Sequence, residues 1–154
     1  MPLTIEKLEH AKQHFDATAD LLYHEFSKPS GRSLEDRRKM LTANSSGRND
    51  YVTYVAHNNG VFLGTATFAK YDLETRQDLT PWLASVATPT KARRQGIGRQ
   101  VVAAIEAHAR AAGVQRLYLF TPDRMRFYHL MGWRTVETFA HEDGKIHTIM
   151  QLDL

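Results

Sequence analysis

Cysteine does not occur in the 154-residue sequence, and neither does a long apolar run. Without cysteine, the chain can form no disulfide, no thiolate nucleophile and no cysteine-bound metal site. A membrane-spanning helix needs about 18 consecutive apolar residues, and no run approaches that length. The N-terminal residues also lack the basic-then-apolar order of a secretory signal. We therefore expect a soluble, cytoplasmic protein with no membrane partner.

The net charge of the chain is small as well. The 20 lysines and arginines are almost matched by 17 aspartates and glutamates, which leaves a formal net charge of +3. Because the acids are spread through the chain, the sequence does not predict the wide basic face of a nucleic-acid-binding module. Apolar residues, by contrast, make up 42% of the chain. That fraction and this length predict a single domain, residues 1–154, with one sizeable core.

The order of sequence patterns predicts an α/β fold on a mixed sheet, β-α-α-β-β-β-α-β-α-β-β. In the first half, an amphipathic helix over residues 10–26 and a helix capped by Ser33 precede a hairpin that turns at residues 58–60. A polar loop over residues 72–78 then leads to a strand. The predicted strands of this half are therefore the first few residues and residues 51–56, 61–68 and 81–88.

The second half contains a strand–helix–strand crossover and a closing hairpin. Apolar residues every four positions predict a helix over residues 97–112, which ends before Gly113. A buried strand over residues 117–120 follows. Thr121, followed by proline and aspartate, predicts the start of the next helix, which ends at Gly132. The closing hairpin is predicted over residues 134–140 and 146–152.

Chemistry is concentrated in residues 85–100, which run from a strand through a basic loop into a helix. The first turn of a helix leaves backbone N–H groups unpaired and carries the positive end of the helix dipole. Gly96 and Gly98 would let a ligand approach that backbone closely. These features predict a site for phosphate or pyrophosphate, and the alternative is a basic helix start whose glycines merely fit a tight turn. The basic side chains around it are Lys91, Arg93, Arg94 and Arg99.

Two common phosphate-binding motifs are excluded. A dinucleotide fingerprint would need a third glycine where Val101 stands, and no Gly-Lys followed by Ser or Thr occurs as in a Walker loop. The residues alone therefore leave the identity of the phosphate ligand open.

Residues 93–98, Arg-Arg-Gln-Gly-Ile-Gly, resemble the Arg/Gln-x-x-Gly-x-Gly/Ala signature of the GNAT superfamily of acyl-CoA-dependent N-acyltransferases. Residues 127–133, Phe-Tyr-His-Leu-Met-Gly-Trp, are similar to the Phe-Tyr-x-x-x-Gly-Phe/Trp segment of that family. One departure is that the usual proline before the loop stands one position early, as Pro89, with Thr90 in its place. With the order of elements and the length, the resemblance extends over nearly the whole chain.

The resemblance implies a GNAT-like fold and acetyl-CoA as cosubstrate, with direct transfer of the acetyl group to a primary amine. Holding the two reactants together and polarising the carbonyl would favour the attack. The pantetheine arm would lie between two splayed parallel strands and the pyrophosphate at the helix start. The residues implied in cofactor binding are Val86, Ala87, Thr88, Arg93, Arg94, Gln95, Gly96, Ile97, Gly98 and Arg99.

The resemblance also implies Tyr128 as the general acid that protonates the leaving thiolate. A tyrosine proton with pKa near 10 can serve a thiolate near 8.5. The alternative is that Tyr128 packs with its neighbour against the sheet. No acid occurs in residues 81–88 to serve as general base, so the base is unassigned. Proton removal through water and binding of a neutral amine are alternatives to the acids of the upstream loop, which are Asp72, Glu74 and Asp78.

The resemblance implies a primary amine of a small molecule or a peptide as the acceptor, whose identity the sequence leaves open. We expect its cleft between the two N-terminal helices, the loop over residues 72–78 and the closing hairpin. A non-catalytic module that binds CoA or another phosphate ligand is the competing hypothesis, and a homodimer is a candidate state by analogy with similar proteins. No metal is predicted, because His10 and His14 have helical pair spacing but lack a third ligand and fit a solvated helix face.

Overall fold

The computed structural model describes residues 3–154. Met1 and Pro2 lie outside the described residues. The N-terminal segment, in which no secretory signal is predicted, begins with these two residues. The strands are β1 (Thr4–Lys7), β2 (Tyr51–Asn58), β3 (Val61–Ala69), β4 (Trp82–Ala87), β5 (Arg116–Thr121), β6 (Arg134–Ala140) and β7 (Ile146–Asp153). The α-helices are α1 (Phe15–Leu22), α2 (Leu34–Ala43), α3 (Ile97–Ala111) and α4 (Met125–Leu130).

These strands form one sheet in the order β1-β2-β3-β4-β5-β7-β6. Neighbouring strands are antiparallel, except that β4 and β5 are parallel. Parallel neighbours need a crossover connection, and α3 lies in the segment that joins these two strands. The mixed sheet confirms the predicted α/β class, and the predicted order of strands and α-helices is confirmed as well.

Helices pack on both faces of the sheet. α3 covers one face, where Ile105 is fully buried in a cluster that includes Ala56 of β2. The next residue back, Val55, belongs to a second cluster on the other face, with Leu22 of α1 and Leu41 of α2. Each such fully buried aliphatic side chain contributes roughly 1.5–3 kcal/mol. The sheet is therefore held between two apolar layers.

The longest helix, α3, has 15 residues. In the part of the chain that the structure describes, no helix is both long enough and apolar enough to cross a membrane.

The predicted helix over residues 10–26 is wrong in its extent. α1 begins later, after two short 3₁₀ turns, and a π-helical turn at Tyr23–Ser27 continues it. Because hydrogen bonds in a π turn span one more residue than in an α-helix, the four-residue spacing from Leu22 no longer keeps Phe26 on the buried face. Phe26 is 38% exposed, whereas Ser27 is buried.

Local sequence signals are confirmed at α2 and at the first hairpin. Ser33 caps α2, since its Oγ accepts a hydrogen bond from Asp36 N–H at 3.0 Å. β2 and β3 are joined by Asn59 and Gly60, whose φ angles are 52° and 76°. Two successive positive φ angles are typical of the turn that matches the twist of antiparallel strands.

α4 begins later than predicted. Thr121 does not cap the helix directly, because it is the last residue of β5. Its Oγ1 accepts a hydrogen bond from Arg124 N–H at 3.1 Å, which closes a turn, and the helix starts at Met125. A Thr-Pro-Asp sequence fits a single turn as well as a helix start, so the sequence alone did not separate the two.

Candidate active site

The two parallel strands of the sheet separate soon after they meet. β4 and β5 share one register pair, Trp82 with Tyr118, and Tyr118 N–H donates to Pro81 C=O at 3.0 Å. Beyond that pair, no further residues join the two strands within residues 3–154. A gap therefore opens between their carboxyl ends, with the rest of β4 along one side.

A β-bulge lies in the part of β4 that borders this gap. Thr67 of β3 pairs with Ala84 and Thr65 with Ala87, so two residues of β4 stand opposite one residue of β3. The first of the two, Ser85, has a φ of 53°, which is uncommon for a residue other than glycine. Bulges redirect the backbone and end strand pairing, and they are frequent beside active sites.

The segment between β4 and α3 presents unpaired backbone N–H groups. Gly96 is the N-cap residue of α3, with a φ of 77°, and no side chain caps the helix. The first helical hydrogen bond is donated by Gln100 N–H to Gly96 C=O at 3.2 Å. The N–H groups of residues 97–99 therefore have no partner in the helix, and they lie at its positive end. Arg94 also has a positive φ, 65°, which is uncommon for a residue other than glycine.

The two glycines leave this backbone accessible. A Cβ on Gly96 would meet nothing within 4 Å, and a Cβ on Gly98 would lie 3.8 Å from the Phe127 ring. An anion can therefore approach the helix start closely, which is the arrangement that a phosphate site needs.

The basic side chains of the loop have different roles. Arg93 Nε donates to Thr88 C=O at 3.2 Å, and Arg93 Nη2 donates to Glu25 Oε1 at 2.9 Å. Its guanidinium therefore ties the loop to the π-helical turn after α1, and it positions the loop instead of standing free for a ligand. The other three basic residues are exposed, and they are Lys91, Arg94 and Arg99.

The start of α3 lies close against β3. A Cβ on Gly64 would stand 2.9 Å from Ile97 Cγ2 and 3.1 Å from Thr88 Cγ2. Glycine at this position lets the helix start press onto the sheet beside the end of β4. The close contact fixes where the N–H groups of the loop stand relative to the gap.

Tyr128 is largely buried in α4. It is 6% exposed, and its ring lies edge-on to Phe127 and Trp133, with centroids 5.0 Å and 5.9 Å away. Burial raises the pKa of the Tyr128 phenol above its ordinary value, against a smaller effect of Arg124. The packing role that we kept as the alternative is therefore present. The hydroxyl is also held in its protonated, hydrogen-donating form.

Three segments that are distant in sequence meet beside the sheet. Arg32, between α1 and α2, donates to Glu142 Oε1 in the β6–β7 turn at 3.0 Å. Arg76, in the loop over residues 72–78, donates to Glu137 of β6. The borders that we predicted for the acceptor cleft are thus joined to one another by two ion pairs.

Asp72 is the acid of this loop whose pKa is raised. The residue is exposed at the surface, and loss of hydration where protein packs beside its carboxyl raises the pKa of Asp72 to about 6. The charges of Arg37 and His141 partly offset this effect. Arg37 belongs to α2 and His141 to the closing hairpin, so Asp72 is influenced from both sides of the predicted cleft. Of the other two acids, Asp78 pairs with an arginine and Glu74 is exposed.

The helical histidine pair considered for a metal does not form. The backbone at Ala11, with a φ of −139°, is not helical and separates two 3₁₀ turns. His10 is exposed, whereas His14 is buried and stacks on His57 with ring centroids 4.6 Å apart. The solvated helix face expected for this pair is therefore wrong for His14.

Three residues of this region were not among the predicted site residues: Gly64, Arg37 and His141. A signal existed for Gly64, because a glycine inside a strand pattern often marks a close approach of another backbone. Arg37 and His141 come near Asp72 from distant segments, and residue spacing does not report such contacts.

The structure resembles solved acetyltransferases over its whole length. yncA from Salmonella typhimurium, solved with its cofactor acetyl-CoA, has a TM-score of 0.76 at 19% identity, covering 100% of this chain and 95% of that chain. An aminoglycoside 6'-N-acetyltransferase complexed with coenzyme A has a TM-score of 0.79 at 13% identity, covering 97% and 96%. Ribosomal-protein-alanine N-acetyltransferase from Brucella melitensis has a TM-score of 0.72 at 18% identity, covering 100% of both chains. At these identities the likeness establishes the fold.

The fold and the helix start after β4 therefore define an acetyltransferase-type α/β protein. A comparison with the curated proteins gives no significant match. Residues 15–133 match the model of the acetyltransferase (GNAT) family. The chain belongs to the acetyltransferase (GNAT) family, which confirms the resemblance seen in the sequence and makes the protein an acyltransferase by family.

Proposed function

We propose that the protein transfers the acetyl group of acetyl-CoA directly to a primary amine. The observation that carries this proposal is that the gap between β4 and β5 leads to the unpaired N–H groups at the start of α3. An acyl-CoA needs both features, because its pantetheine arm is extended and its pyrophosphate is an anion. The relatives solved with acetyl-CoA and coenzyme A support this choice of ligand.

In this proposal the pantetheine arm lies along the open edge of β4. The backbone groups of Val86, Ala87 and Thr88 pair with its amides, as they would with an added strand. The pyrophosphate accepts hydrogen bonds from the N–H groups at the helix start, where exposed basic side chains add attraction. The loop residues assigned to the cofactor are Arg94, Gln95, Gly96, Ile97, Gly98 and Arg99, whereas Arg93 holds the loop in place.

The reaction is an attack of a neutral amine nitrogen on the thioester carbonyl. A C–N bond forms and the C–S bond breaks, while the nitrogen loses one proton and the departing thiolate gains one. We assign Tyr128 as the donor of the proton that the departing thiolate gains, because burial keeps the Tyr128 hydroxyl protonated. Solvent then restores the tyrosine proton. Protonation of the leaving thiolate prevents its return to the carbonyl.

We assign Asp72 to the acceptor side. Its carboxylate would attract the ammonium form of the amine, and with a pKa of about 6 it is mostly ionised at neutral pH. The proton that the nitrogen loses passes to water on this side, where Asp72 is exposed to solvent. Relatives named for an aminoglycoside and for a ribosomal-protein alanine share this fold, so the acceptor is assigned as a primary amine of a small molecule or a peptide.

We also propose that residues 1–154 act as a single domain. A single seven-stranded sheet runs through the described chain, and each of its buried apolar clusters packs against that sheet. This arrangement leaves the cofactor loop and the acceptor side within one folded unit.

A thiol-release assay over a panel of amines tests the function. The chain has no cysteine, so a thiol reagent would report coenzyme A without a protein background. We expect amine-dependent thiol release and a matching mass increase of the acceptor. Binding of acetyl-CoA without turnover on a broad panel would favour the non-catalytic binding module, and no binding would contradict both hypotheses.

A further inference from the structure

Two histidines and an aspartate meet at the turn between β6 and β7. His141, Asp143 and His147 each offer one ligand atom, and these atoms all lie within 4.8 Å of one another. Asp143 Oδ2 lies 2.7 Å from His147 Nε2, and Asp143 Oδ1 lies 3.3 Å from His141 Nδ1. The two imidazole rings have centroids 4.5 Å apart. This cluster has no part in the roles assigned above to the cofactor loop and to Tyr128.

The turn itself orients these side chains. Lys145 N–H donates to Asp143 Oδ1 at 2.9 Å, and Asp143 N–H donates to His141 Nδ1 at 3.3 Å. Hydrogen bonds of this kind fix the orientation of metal ligands in proteins. Because His141 Nδ1 accepts this hydrogen bond, it carries no proton, and a metal ion bound there would take the place of the Asp143 N–H contact.

The cluster is also withdrawn from solvent. The side chains of His141, Asp143 and His147 are 15%, 13% and 6% exposed. The rings of Phe120 and Phe139 pack against both histidines. The ligand atoms therefore lie in a site that is largely shielded from bulk water.

We propose that His141, Asp143 and His147 bind one divalent transition-metal ion such as Zn²⁺. Bonds of about 2.0–2.2 Å to Zn²⁺ place tetrahedral ligand atoms roughly 3.4 Å apart. The atoms of the cluster, with one pair 2.7 Å apart and all within 4.8 Å, reach that spacing by small side-chain movements. Imidazole nitrogen favours such ions over Mg²⁺ and Ca²⁺, which prefer oxygen ligands. Three protein ligands leave a fourth position for water.

The metal would stiffen the border of the acceptor side. The turn that carries Asp143 also carries Glu142, which pairs with Arg32 between α1 and α2. An ion that fixes the turn therefore also fixes one partner of that ion pair. This inference does not depend on the acetyl transfer proposed above, because its test measures metal binding alone.

The test is calorimetric titration of ZnCl₂ into untagged, chelator-treated protein, repeated with Co²⁺ and followed by visible absorption. We expect one ion per chain and a Co²⁺ spectrum typical of nitrogen and oxygen ligands. His141→Asn and Asp143→Asn should each weaken Zn²⁺ affinity by at least about tenfold. These two residues are more exposed than His147, so they are the safer variants, and circular dichroism checks that each is folded.

Two variants serve as controls. Glu142→Gln alters the same turn without removing a proposed ligand, and His24→Asn removes an exposed histidine of the π-helical turn. Both should bind Zn²⁺ as the unaltered protein does. The inference would be overturned by the absence of single-site binding, or by equal affinity in His141→Asn and Asp143→Asn.

Discussion

Trp82 and Tyr118 form the register pair at which β4 and β5 meet, and the centroids of their rings lie 5.7 Å apart. Trp82 is fully buried, and its Nε1–H donates to Leu79 C=O at 2.9 Å. The junction of the two parallel strands is therefore anchored at its base, while their carboxyl ends diverge. An extended thioester can enter such a gap without rearrangement of the sheet, and a site built on rigid strands holds its ligand in a defined position.

The glycine at the helix start is predicted to be essential for cofactor binding. Gly96→Asp places a carboxylate where the pyrophosphate would lie, so we expect acetyl-CoA affinity to fall by at least about 100-fold, or about 2.7 kcal/mol. Gly60→Asp makes the same change at a glycine with nearly the same φ, 76°, and equally open surroundings. Calorimetry should show unaltered affinity for that control. Equal affinity of both variants would place the pyrophosphate elsewhere.

The hydroxyl of Tyr128 is predicted to act in turnover and not in cofactor binding. Tyr128→Phe keeps the ring contacts with Phe127 and Trp133, so the fold should persist. We expect kcat to fall by about 100-fold, the lower end for a general acid, with little change in acetyl-CoA affinity. Tyr51→Phe is the control. An unchanged kcat in Tyr128→Phe would leave the packing role alone.

The carboxylate of Asp72 is predicted to recognise the acceptor. Asp72→Asn should raise the KM for the amine about fivefold, which corresponds to about 1 kcal/mol for a solvent-accessible charge pair. The affinity for acetyl-CoA should not change. Glu74→Gln removes an exposed acid from the same loop and should leave both parameters as they are. Steady-state kinetics against both substrates separates these outcomes, and equal effects of the two variants would remove the assignment.

The close approach of Ile97 to Gly64 predicts that any side chain added at position 64 destabilises the fold. A Cβ at Gly64 would lie 2.9 Å from Ile97 Cγ2, a methyl on a stiff β-branched side chain. Gly64→Ala should therefore lower the free energy of unfolding by about 1–3 kcal/mol. In an Ile97→Ala background, the same change should cost about 1 kcal/mol less, because the two sites interact. If urea denaturation gave the same cost of Gly64→Ala in both backgrounds, the contact would relax freely and the prediction would be wrong.

The buried histidine His14 predicts that the protein loses stability in acid. Burial, with a further contribution from His57, lowers the pKa of His14 below 6.5, although Glu6 opposes this. The unfolded chain therefore binds this proton first as the pH falls. The contribution of His14 is complete above about pH 6.5 and is lost as the pH falls through the lower folded-state pKa. Urea denaturation from pH 7.5 to 5 should show a smaller decline for His14→Gln, and an equal decline would exclude this source.

Much of the fold was predictable because local chemistry determines it. Ser33 could be recognised as a cap, and Asn59 with Gly60 as a turn, from the residues alone. The π-helical turn and the bulge at Ser85 could not, because no local residue type requires them. Both depend on how the chain packs, and the π turn is what moved Phe26 to the surface and Ser27 to the interior.

The candidate site likewise has a part that the sequence could predict and a part that it could not. The loop around Gly96 could be predicted because glycine and basic residues at a helix start have a local physical meaning. The acceptor side could be predicted only as a set of segments, since the pair of Arg32 with Glu142 joins residues 110 positions apart. The pairing of Arg93 with Glu25 is likewise a tertiary contact, and it assigns this arginine to holding the loop.

The most direct test of the central claim is an amide ¹H–¹⁵N spectrum of the protein titrated with acetyl-CoA. The account predicts the largest shifts at residues 86–88 and 94–99, on the open edge of β4 and at the start of α3. The amides of Ala112 and Gly113, at the opposite end of the 15-residue helix α3, should not move. Large shifts confined to other parts of the sheet, or no shifts at saturating acetyl-CoA, would contradict it.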